Sequence, residues 1–308
     1  MVCELSDLPQ IDLIRTFNRL NNLSNLDPDL NLPTQSSFKF YTPDDFCADN
    51  LIANCTSGKH FSVLHSNVRS LQANFDKLTH MLSELKHSFS LIGLTETKIK
   101  VSQESLSNTS LSGYNFISQP SLSNAGGTGI FISENLCYTP RADLSISTVG
   151  FESLWIEIES NLKHNIICGV IYRHPRSNVD TFMNYLNSFL EKMNRENKYC
   201  IIMGDFNLNL LNAESHQSTN EFLTTLSSHF FNPHILQPTR ITYHSASLID
   251  NIFFNSISHH TVSGNIIYDI SDHIPNFLIV NKLSSLPKII EIYKRDYSKL
   301  NESSLIEE

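Results

Sequence analysis

The segment YCIIMGDFNLNLL, residues 199–211, decides how the rest of the chain is interpreted. Residues 199–203 form an almost continuous apolar run, which is typical of a β-strand covered on both faces. Gly204 ends the run, and Asp205 and Asn207 follow on either side of a phenylalanine. The segment therefore predicts a buried strand with a carboxylate and an amide at its end, where a rigid sheet can aim functional groups.

Further apolar runs of strand length lie on both sides of this segment. Between them, residues such as Phe75, Leu78, Leu82 and Leu85 recur at the spacing of one helix face. This alternation predicts an α/β fold, a layered sandwich of mixed sheets and helices, with polar residues meeting along one edge. The other strand-like runs are FSVLH (61–65), FSLIGL (89–94), GIFIS (129–133), SLWIEIE (153–159), NIICGVIY (165–172) and NIFFN (251–255).

The 308 residues divide into three zones. Residues 1–58 are rich in Asn, Leu, Asp and Pro with weak periodicity, and are predicted to be a loosely structured extension. Residues 59–281 carry the alternating pattern and are predicted to form the folded domain. Residues 282–308 are polar and of mixed charge, and are interpreted as a linker-like tail.

Composition excludes several classes of protein. A hydrophobic content of 40% is typical of a globular chain. The apolar runs are far shorter than the roughly 20 residues that a bilayer requires, and the start, MVCELSDLPQ, lacks a secretory pattern, so an intracellular location without membrane contact is expected. The net charge of −9 argues against an extended basic surface, so any binding to nucleic acid is expected to be weak and salt-sensitive.

Eight polar residues lie where strands begin or end and are not required for packing. Each one alone is ordinarily a turn or capping residue. The combination is harder to explain, because a buried carboxylate costs free energy unless it is paired or binds a metal. These residues are Asn67, Glu96, Tyr172, Asp205, Asn207, Asp250, Asp272 and His273.

The set of residue types suits hydrolysis of a phosphodiester. Glu96 beside Asn67 offers oxygen ligands of the kind that magnesium prefers. Asp205 could activate water, and Asp250 near His273 would raise the pKa of the imidazole and fix its tautomer. Neutral hydrogen bonds from Asn207 and Tyr172 to phosphoryl oxygens would complete the site.

Six motifs in order carry a resemblance to a known superfamily. HSNVRSL, LTETK, GVIYRHP, MGDFNLNLL, PTRITYHSASLIDNIF and ISDHIPNF resemble the endonuclease/exonuclease/phosphatase superfamily, which includes deoxyribonuclease I and the apurinic/apyrimidinic endonucleases. Over residues 61–300 the chain resembles most the endonuclease domain of non-LTR (LINE-type) retrotransposons. The resemblance implies a four-layered sandwich, with two mixed β-sheets packed face to face and flanked by helices.

The resemblance also implies a role for each residue. Asp205 would activate water beside Asn207 and Tyr172, and Asp250 would orient His273. The implied metal residues are Glu96, Asn67 and Asp272, and the implied substrate-binding residues are Thr242, Ser271, Arg240 and Arg173. The chain departs from the repair-type apurinic nucleases at Arg69, where those enzymes carry an acid, and this departure favours the retrotransposon branch.

The implied function is a Mg²⁺-dependent endonuclease, with Mn²⁺ as the alternative ion. It would nick one strand of double-stranded DNA in the nucleus and leave a 3′ hydroxyl for a reverse transcriptase domain absent from this chain. A phosphatase or phosphodiesterase of the same superfamily is one alternative. A catalytically silent, element-derived DNA-docking domain is another. The sequence AGGTG at 125–129 lacks the spacing of a phosphate-binding loop and predicts a hairpin turn.

Overall fold

The computed structural model describes residues 39–100, 110–123, 125–160 and 164–283. Most of the predicted extension, residues 1–38, and most of the predicted tail, residues 284–308, lie outside the described residues. Among the helices of the described segments, none is long and apolar enough to cross a membrane.

The first sheet contains seven strands and mixes parallel with antiparallel pairs. Its strands are β1 (Lys39–Tyr41), β2 (His60–Asn67), β3 (Leu91–Thr95), β4 (Tyr114–Gln119), β5 (Thr128–Ser133), β15 (Thr261–Ile266) and β16 (Asn276–Asn281). Their order across the sheet is β1-β15-β16-β2-β3-β5-β4. The pairs β1–β15 and β2–β3 are parallel, and β4 and β5 form the antiparallel hairpin predicted from the AGGTG turn.

The second sheet also contains seven strands. Its strands are β6 (Tyr138–Pro140), β7 (Ile146–Ser147), β8 (Phe151–Ile158), β9 (Ile166–Arg173), β10 (Tyr199–Asp205), β11 (Asn232–Pro233) and β14 (Asp250–Phe254). The order is β11-β14-β10-β9-β8-β6, with β7 paired to β8, and β9–β10 is the parallel pair. A separate two-stranded hairpin is formed by β12 (Arg240–Ile241) and β13 (Ala246–Ser247).

Side chains that alternate along a strand enter two different cores, as the period of two requires. In β5, Ile130 and Ile132 belong to the core between the sheets, whereas Phe131 belongs to the outer core of the first sheet. Gly93 of β3 faces Met203 so closely that an added Cβ would lie 2.5 Å from its sulfur. The sheets therefore pack face to face with little room between them.

Helices cover the two outer faces. The helices α1 (Pro43–Ala48), α2 (Asn50–Thr56) and α3 (Leu71–Leu85) bury residues in the outer core of the first sheet. The helices α4 (Val179–Glu196) and α5 (Gln217–Ser228) bury residues against the second sheet. This four-layered arrangement confirms the predicted fold class.

Residues 39–58 are part of the fold, so the prediction of a loose extension up to residue 58 is wrong for them. β1 pairs with β15, and Thr42 forms a capping box with Asp45 at the start of α1. Tyr41 and Phe46 are buried, and both rings pack edge-on against Phe277 of β16. The domain therefore begins at or before β1.

Strand direction brings the polar strand ends to one edge. The parallel pair β2–β3 ends at Asn67 and Thr95, which are register partners, and Glu96 follows. In the second sheet, Asp205 at the end of β10 is the register partner of Tyr172 on β9 and of Asp250 at the start of β14.

Candidate active site

Two carboxylates face each other across neighbouring strands at this edge. Asp205 and Asp250 are directly opposite in the antiparallel ladder, and each is 1% exposed. Like charges in that position repel each other, and burial adds to the cost. The His273 ring compensates, with Nδ1 at 2.9 Å from Asp250 Oδ2 and 3.9 Å from Asp205 Oδ2.

The pKa values of this cluster depart from their ordinary ranges. Burial, and then the charge of Asp250, raise the pKa of Asp205 to about 8. Burial opposes the charge on His273, but the charge and hydrogen bond of Asp250 outweigh it and raise the pKa of His273 to about 9. At neutral pH the imidazole is therefore cationic, and the Asp205 carboxyl takes up a proton unless another positive charge lies beside it.

Two hydroxyl groups hold the cluster in place. Thr239 Oγ1 donates to Asp250 Oδ2 at 2.7 Å and accepts from the Asp250 backbone N–H at 3.1 Å. Ser271 Oγ donates to the carbonyl of Asn67 at 2.6 Å and accepts from the backbone N–H of His273 at 3.1 Å. Ser271 thus supports the loop that carries His273 and joins it to the end of β2.

The hydroxyl that reaches the site is Thr239, not the expected Thr242. Thr242 is exposed in the β12–β13 turn, where its Oγ1 accepts the backbone N–H of Ser245 at 3.1 Å. Both threonines occur in the motif PTRIT. The motif marked the right segment, but only the fold shows which threonine points inward.

Asn67 connects two carboxylates from different sheets. Its Nδ2 donates to Glu96 Oε1 and to Asp205 Oδ2, both at 3.0 Å. Its Oδ1 accepts the backbone N–H of Arg69 at 3.1 Å. In the structure Asn67 therefore holds the two carboxylates together, while its amide oxygen keeps a second lone pair for the metal contact expected from the sequence.

Glu96, Asp205 and His273 are the described residues whose arrangement could hold a cation. Their ligand atoms lie within 4.8 Å of one another, and Glu96 sits on a positive φ of 52° just after β3. Since His273 Nδ1 is bound to Asp250, the oxygens of Glu96 and Asp205 are the groups that fit a hard divalent ion.

Tyr172 and Asn207 each form a hydrogen bond to a carboxylate of this cluster, Tyr172 to Glu96 and the backbone N–H of Asn207 to Asp205. The Tyr172 hydroxyl donates to Glu96 Oε1 at 3.3 Å, and burial together with the charges of Glu96 and Asp205 raises the tyrosine pKa, so the hydroxyl stays protonated. Asn207 adopts a positive φ of 48°, and its Nδ2 donates to the carbonyl of Arg173 at 2.7 Å. The side-chain amide of Asn207 carries a second hydrogen that could donate to a phosphoryl oxygen.

Arg173, expected from the sequence to bind substrate, is buried and makes its contacts within the protein. Its guanidinium donates to the carbonyls of Phe206 at 2.7 Å, Asn207 at 2.8 Å and Ser177 at 3.2 Å. Burial lowers its pKa. Arg173 therefore fixes the loop that follows Asp205, and a single sequence gives no signal of such carbonyl contacts.

Asp272 pairs with two arginines rather than lying free for a metal. Arg69 Nη1 lies 3.0 Å from its Oδ1, and Arg240 contacts its Oδ2 through Nε at 2.9 Å and Nη2 at 2.8 Å. Although burial acts in the opposite direction, the hydrogen bond from Arg240 and the charges of His273 and Arg69 lower the pKa of Asp272. In the structure Asp272, expected from the sequence to bind the metal, orients two half-exposed arginines at the rim.

Comparison with known families agrees with the motifs. A model of the Endonuclease/Exonuclease/phosphatase family matches residues 64–273, which include every candidate site residue named above. No match was found among curated protein sequences.

Three solved structures illustrate the similarity of fold. The endonuclease domain of TRAS1, a telomere-specific non-LTR retrotransposon, is 14% identical with a TM-score of 0.53, and the match covers 72% of this chain and 98% of that one. The AP endonuclease LMAP from Leishmania major is 13% identical with a TM-score of 0.60, covering 74% and 90%. The catalytic domain of Xenopus laevis APE2 is 17% identical with a TM-score of 0.57, covering 74% and 94%.

Proposed function

Because the chain belongs to the endonuclease/exonuclease/phosphatase family, we propose that it is a divalent-metal-dependent DNA endonuclease that nicks one strand. The observation that carries the proposal is the convergence of Glu96, Asp205 and His273 in one pocket at the edge of both sheets. The proposed ion is Mg²⁺, with Mn²⁺ as an alternative, because the available donors are carboxylate oxygens.

Each residue has a distinct proposed role. A divalent ion held by Glu96 and Asp205 would neutralise charge on the phosphate. Asp205 accepts the proton of the attacking water, and His273, kept cationic by Asp250, places a positive charge beside the phosphoryl oxygens. Tyr172 and Asn207 orient the phosphate by hydrogen bonds.

The proposed substrate is double-stranded DNA. Arg69 and Arg240, both oriented by Asp272, present positive charge at the rim, where they can contact backbone phosphates despite the net charge of −9. The motifs shared with non-LTR retrotransposon endonucleases support target-primed retrotransposition in the nucleus. In that process the nick leaves a 3′ hydroxyl for a reverse transcriptase domain.

A nicking assay on supercoiled plasmid tests the proposal. The parent chain with Mg²⁺ should convert plasmid to the open circular form, and both a chelator and Asp205→Asn should abolish the conversion. Asp76→Asn, which removes an exposed acid on α3, is the matched control and should nick like the parent.

Other outcomes separate the alternatives. Equal nicking by parent and Asp205→Asn indicates a contaminating nuclease and contradicts the proposal. Metal-dependent release of phosphate from small phosphomonoesters without nicking supports the phosphatase. Binding of duplex DNA without hydrolysis of either substrate supports a silent docking domain.

A further inference from the structure

A cleft of about 990 Å³ opens beside Glu96, and His273 is not among the residues that line it. It extends from Glu96 and Tyr172 along the segment that leads into α4. His174, Arg176 and Ser177 supply polar groups, while Val149 contributes an apolar wall. This volume falls in the upper part of the range of about 300–1,000 Å³ for ligand sites, and the proposed chemistry uses only the end of the cleft at Glu96 and Tyr172.

A buried carboxylate lies behind this cleft. Glu152 of β8 is 0% exposed, and its Oε1 accepts from the hydroxyl of Ser121 at 2.5 Å and from His174 Nε2 at 2.9 Å. Its Oε2 is buried and has no hydrogen-bond partner among the described residues. A buried carboxylate oxygen without a partner costs free energy, so stability alone is a weak reason for the presence of this acid.

Glu152 fixes the orientation of the His174 ring. Because a carboxylate only accepts hydrogen bonds, His174 Nε2 carries the proton that faces it. The ring also stands edge-on to Tyr172, with the centroids 4.9 Å apart. The other ring nitrogen of His174, Nδ1, forms no hydrogen bond with the described residues. His174 is also one of the residues that line the cleft.

The loop at Gly126 ties this pair to the catalytic segment. Gly126 has a φ of +96°, and an added Cβ would lie 2.8 Å from His174 Cε1 and 2.9 Å from Glu152 Oε2. The carbonyls of Gly126 and Gly127 accept the backbone N–H groups of Lys98 and Thr97, at 2.9 and 3.1 Å. His174 is therefore held at a fixed position relative to Glu96, both through this loop and through Tyr172.

We propose that His174, held by Glu152, is a substrate-positioning residue that contacts the phosphate next to the cleaved phosphodiester, in the cleft beside Glu96. A DNA strand carries one negative charge per nucleotide, so a strand that passes Glu96 brings its next phosphate into this cleft. Arg176, which also lines the cleft, adds a positive group there. Contacts of this kind fix the register of the substrate. The proposal rests on the proposed endonuclease function.

Single methylphosphonate substitutions test this contact directly. Two duplexes carry one uncharged methylphosphonate, placed either on the 5′ or on the 3′ side of a mapped nick. With the parent, one of them should be nicked about tenfold less efficiently, because a charge-assisted hydrogen bond is lost. With His174→Ala, kcat/KM for the unmodified duplex should fall by the same factor, because KM rises. In that variant the methylphosphonate should cause no further loss.

Two further variants separate positioning from folding. Glu152→Gln keeps the shape of the side chain but replaces one carboxylate oxygen by an amide nitrogen. Because the His174 ring must turn to meet that amide, the coupling between His174 and the methylphosphonate should be smaller than in the parent. His260→Ala is the control, because this exposed histidine lies in the β14–β15 loop at the opposite end of the sheet. His174→Ala removes one hydrogen bond from the buried Glu152, so its midpoint of thermal unfolding should fall modestly, and the kinetics are measured well below that midpoint.

The outcomes distinguish the possible failures. If the loss from His174→Ala and the loss from the methylphosphonate multiply in both duplexes, the two changes act independently. His174 then contacts neither phosphate, and the proposal is overturned. A fall in kcat with unchanged KM would mean that His174 acts only through Tyr172 or Glu96, which also overturns it. If the parent fails to nick the unmodified duplex, the proposed function itself has failed.

Discussion

At the scale of single residues, the pair Asp250–His273 determines the charge of the site. The carboxylate lies 2.9 Å from Nδ1 and, against the effect of burial, raises the pKa of His273 to about 9. Asp250 Oδ1 is buried without a partner among the described residues, so an amide at this position would disturb few contacts. The charge can therefore be removed with little change in packing.

Asp250→Asn should lower kcat for nicking by about a hundredfold or more, since the positive charge beside the phosphate is lost. In the parent, His273 remains protonated up to pH of about 9, whereas in the variant it should lose its proton at lower pH. The alkaline limb of the kcat profile between pH 6 and 9 should therefore move to lower pH. An unshifted limb would show that His273 is not the group that titrates.

Arg173 stabilises the chain rather than contacting substrate. Arg173→Met should lower the free energy of unfolding by about 2–5 kcal/mol, because the carbonyls of Phe206 and Asn207 lose their buried donor. Urea unfolding measures the change. Arg195→Met, at the exposed end of α4, should change stability by less than about 0.5 kcal/mol, and equal effects of the two variants would contradict the prediction.

At the scale of elements, Gly204 allows β10 to lie beside β9. A Cβ at Gly204 would stand 1.9 Å from the carbonyl oxygen of Ile171 on the neighbouring strand. Gly204→Ala must therefore separate the two strands just before Asp205. We expect a loss of stability of about 3 kcal/mol or more, or failure to fold.

Gly58→Ala provides the matched control, because no other group lies within 4 Å of a Cβ built there. Circular dichroism during thermal unfolding should show a large fall in midpoint for Gly204→Ala and almost none for Gly58→Ala. A parent-like midpoint for Gly204→Ala would mean that β9 and β10 are less closely paired than described.

The long elements were predictable from the sequence, and the short ones were not. The apolar runs at 61–65 and 199–203 lie within β2 and β10, because buried strands need continuous apolar residues. β1 has only three residues, and it pairs with β15, where Lys39 is the register partner of Gly264. No local pattern can indicate a partner more than two hundred residues away.

The same limit applies to the candidate site. Motifs located Glu96, Asp205 and His273, which the fold brings together. They did not identify Glu152, because an acid inside a strand with apolar neighbours looks like a residue on a solvated face. Side-chain direction, which separates Thr239 from Thr242, depends on the packing of β14 against the loop before β12.

At the scale of the whole molecule, the site lies where the two sheets meet. The first sheet supplies Asn67 and Glu96, and the second supplies Tyr172, Asp205 and Asp250. The hydrogen bond from Asn67 to Asp205 crosses between the sheets. Neutralising the negative charge of the carboxylates at this site therefore stabilises the contact between the two sheets.

This arrangement predicts that Mg²⁺ raises the midpoint of thermal unfolding, and that the rise grows from pH 6 to pH 8. The pKa of Asp205 is about 8 in the folded chain, above the ordinary 3.8. Without a cation, the stabilisation from its proton is complete below the ordinary pKa and is lost as pH rises through about 8. A cation replaces that proton, so it binds more strongly where the proton has left.

Scanning calorimetry at pH 6, 7 and 8, with and without Mg²⁺, measures the effect. Asp205→Asn should remove most of the rise caused by Mg²⁺ and should flatten the dependence of the midpoint on pH, because the amide carries no proton to exchange. Asp76→Asn should behave like the parent. A rise of equal size at all three pH values would show that the cation does not compete with the Asp205 proton, and that Asp205 lies outside the metal site.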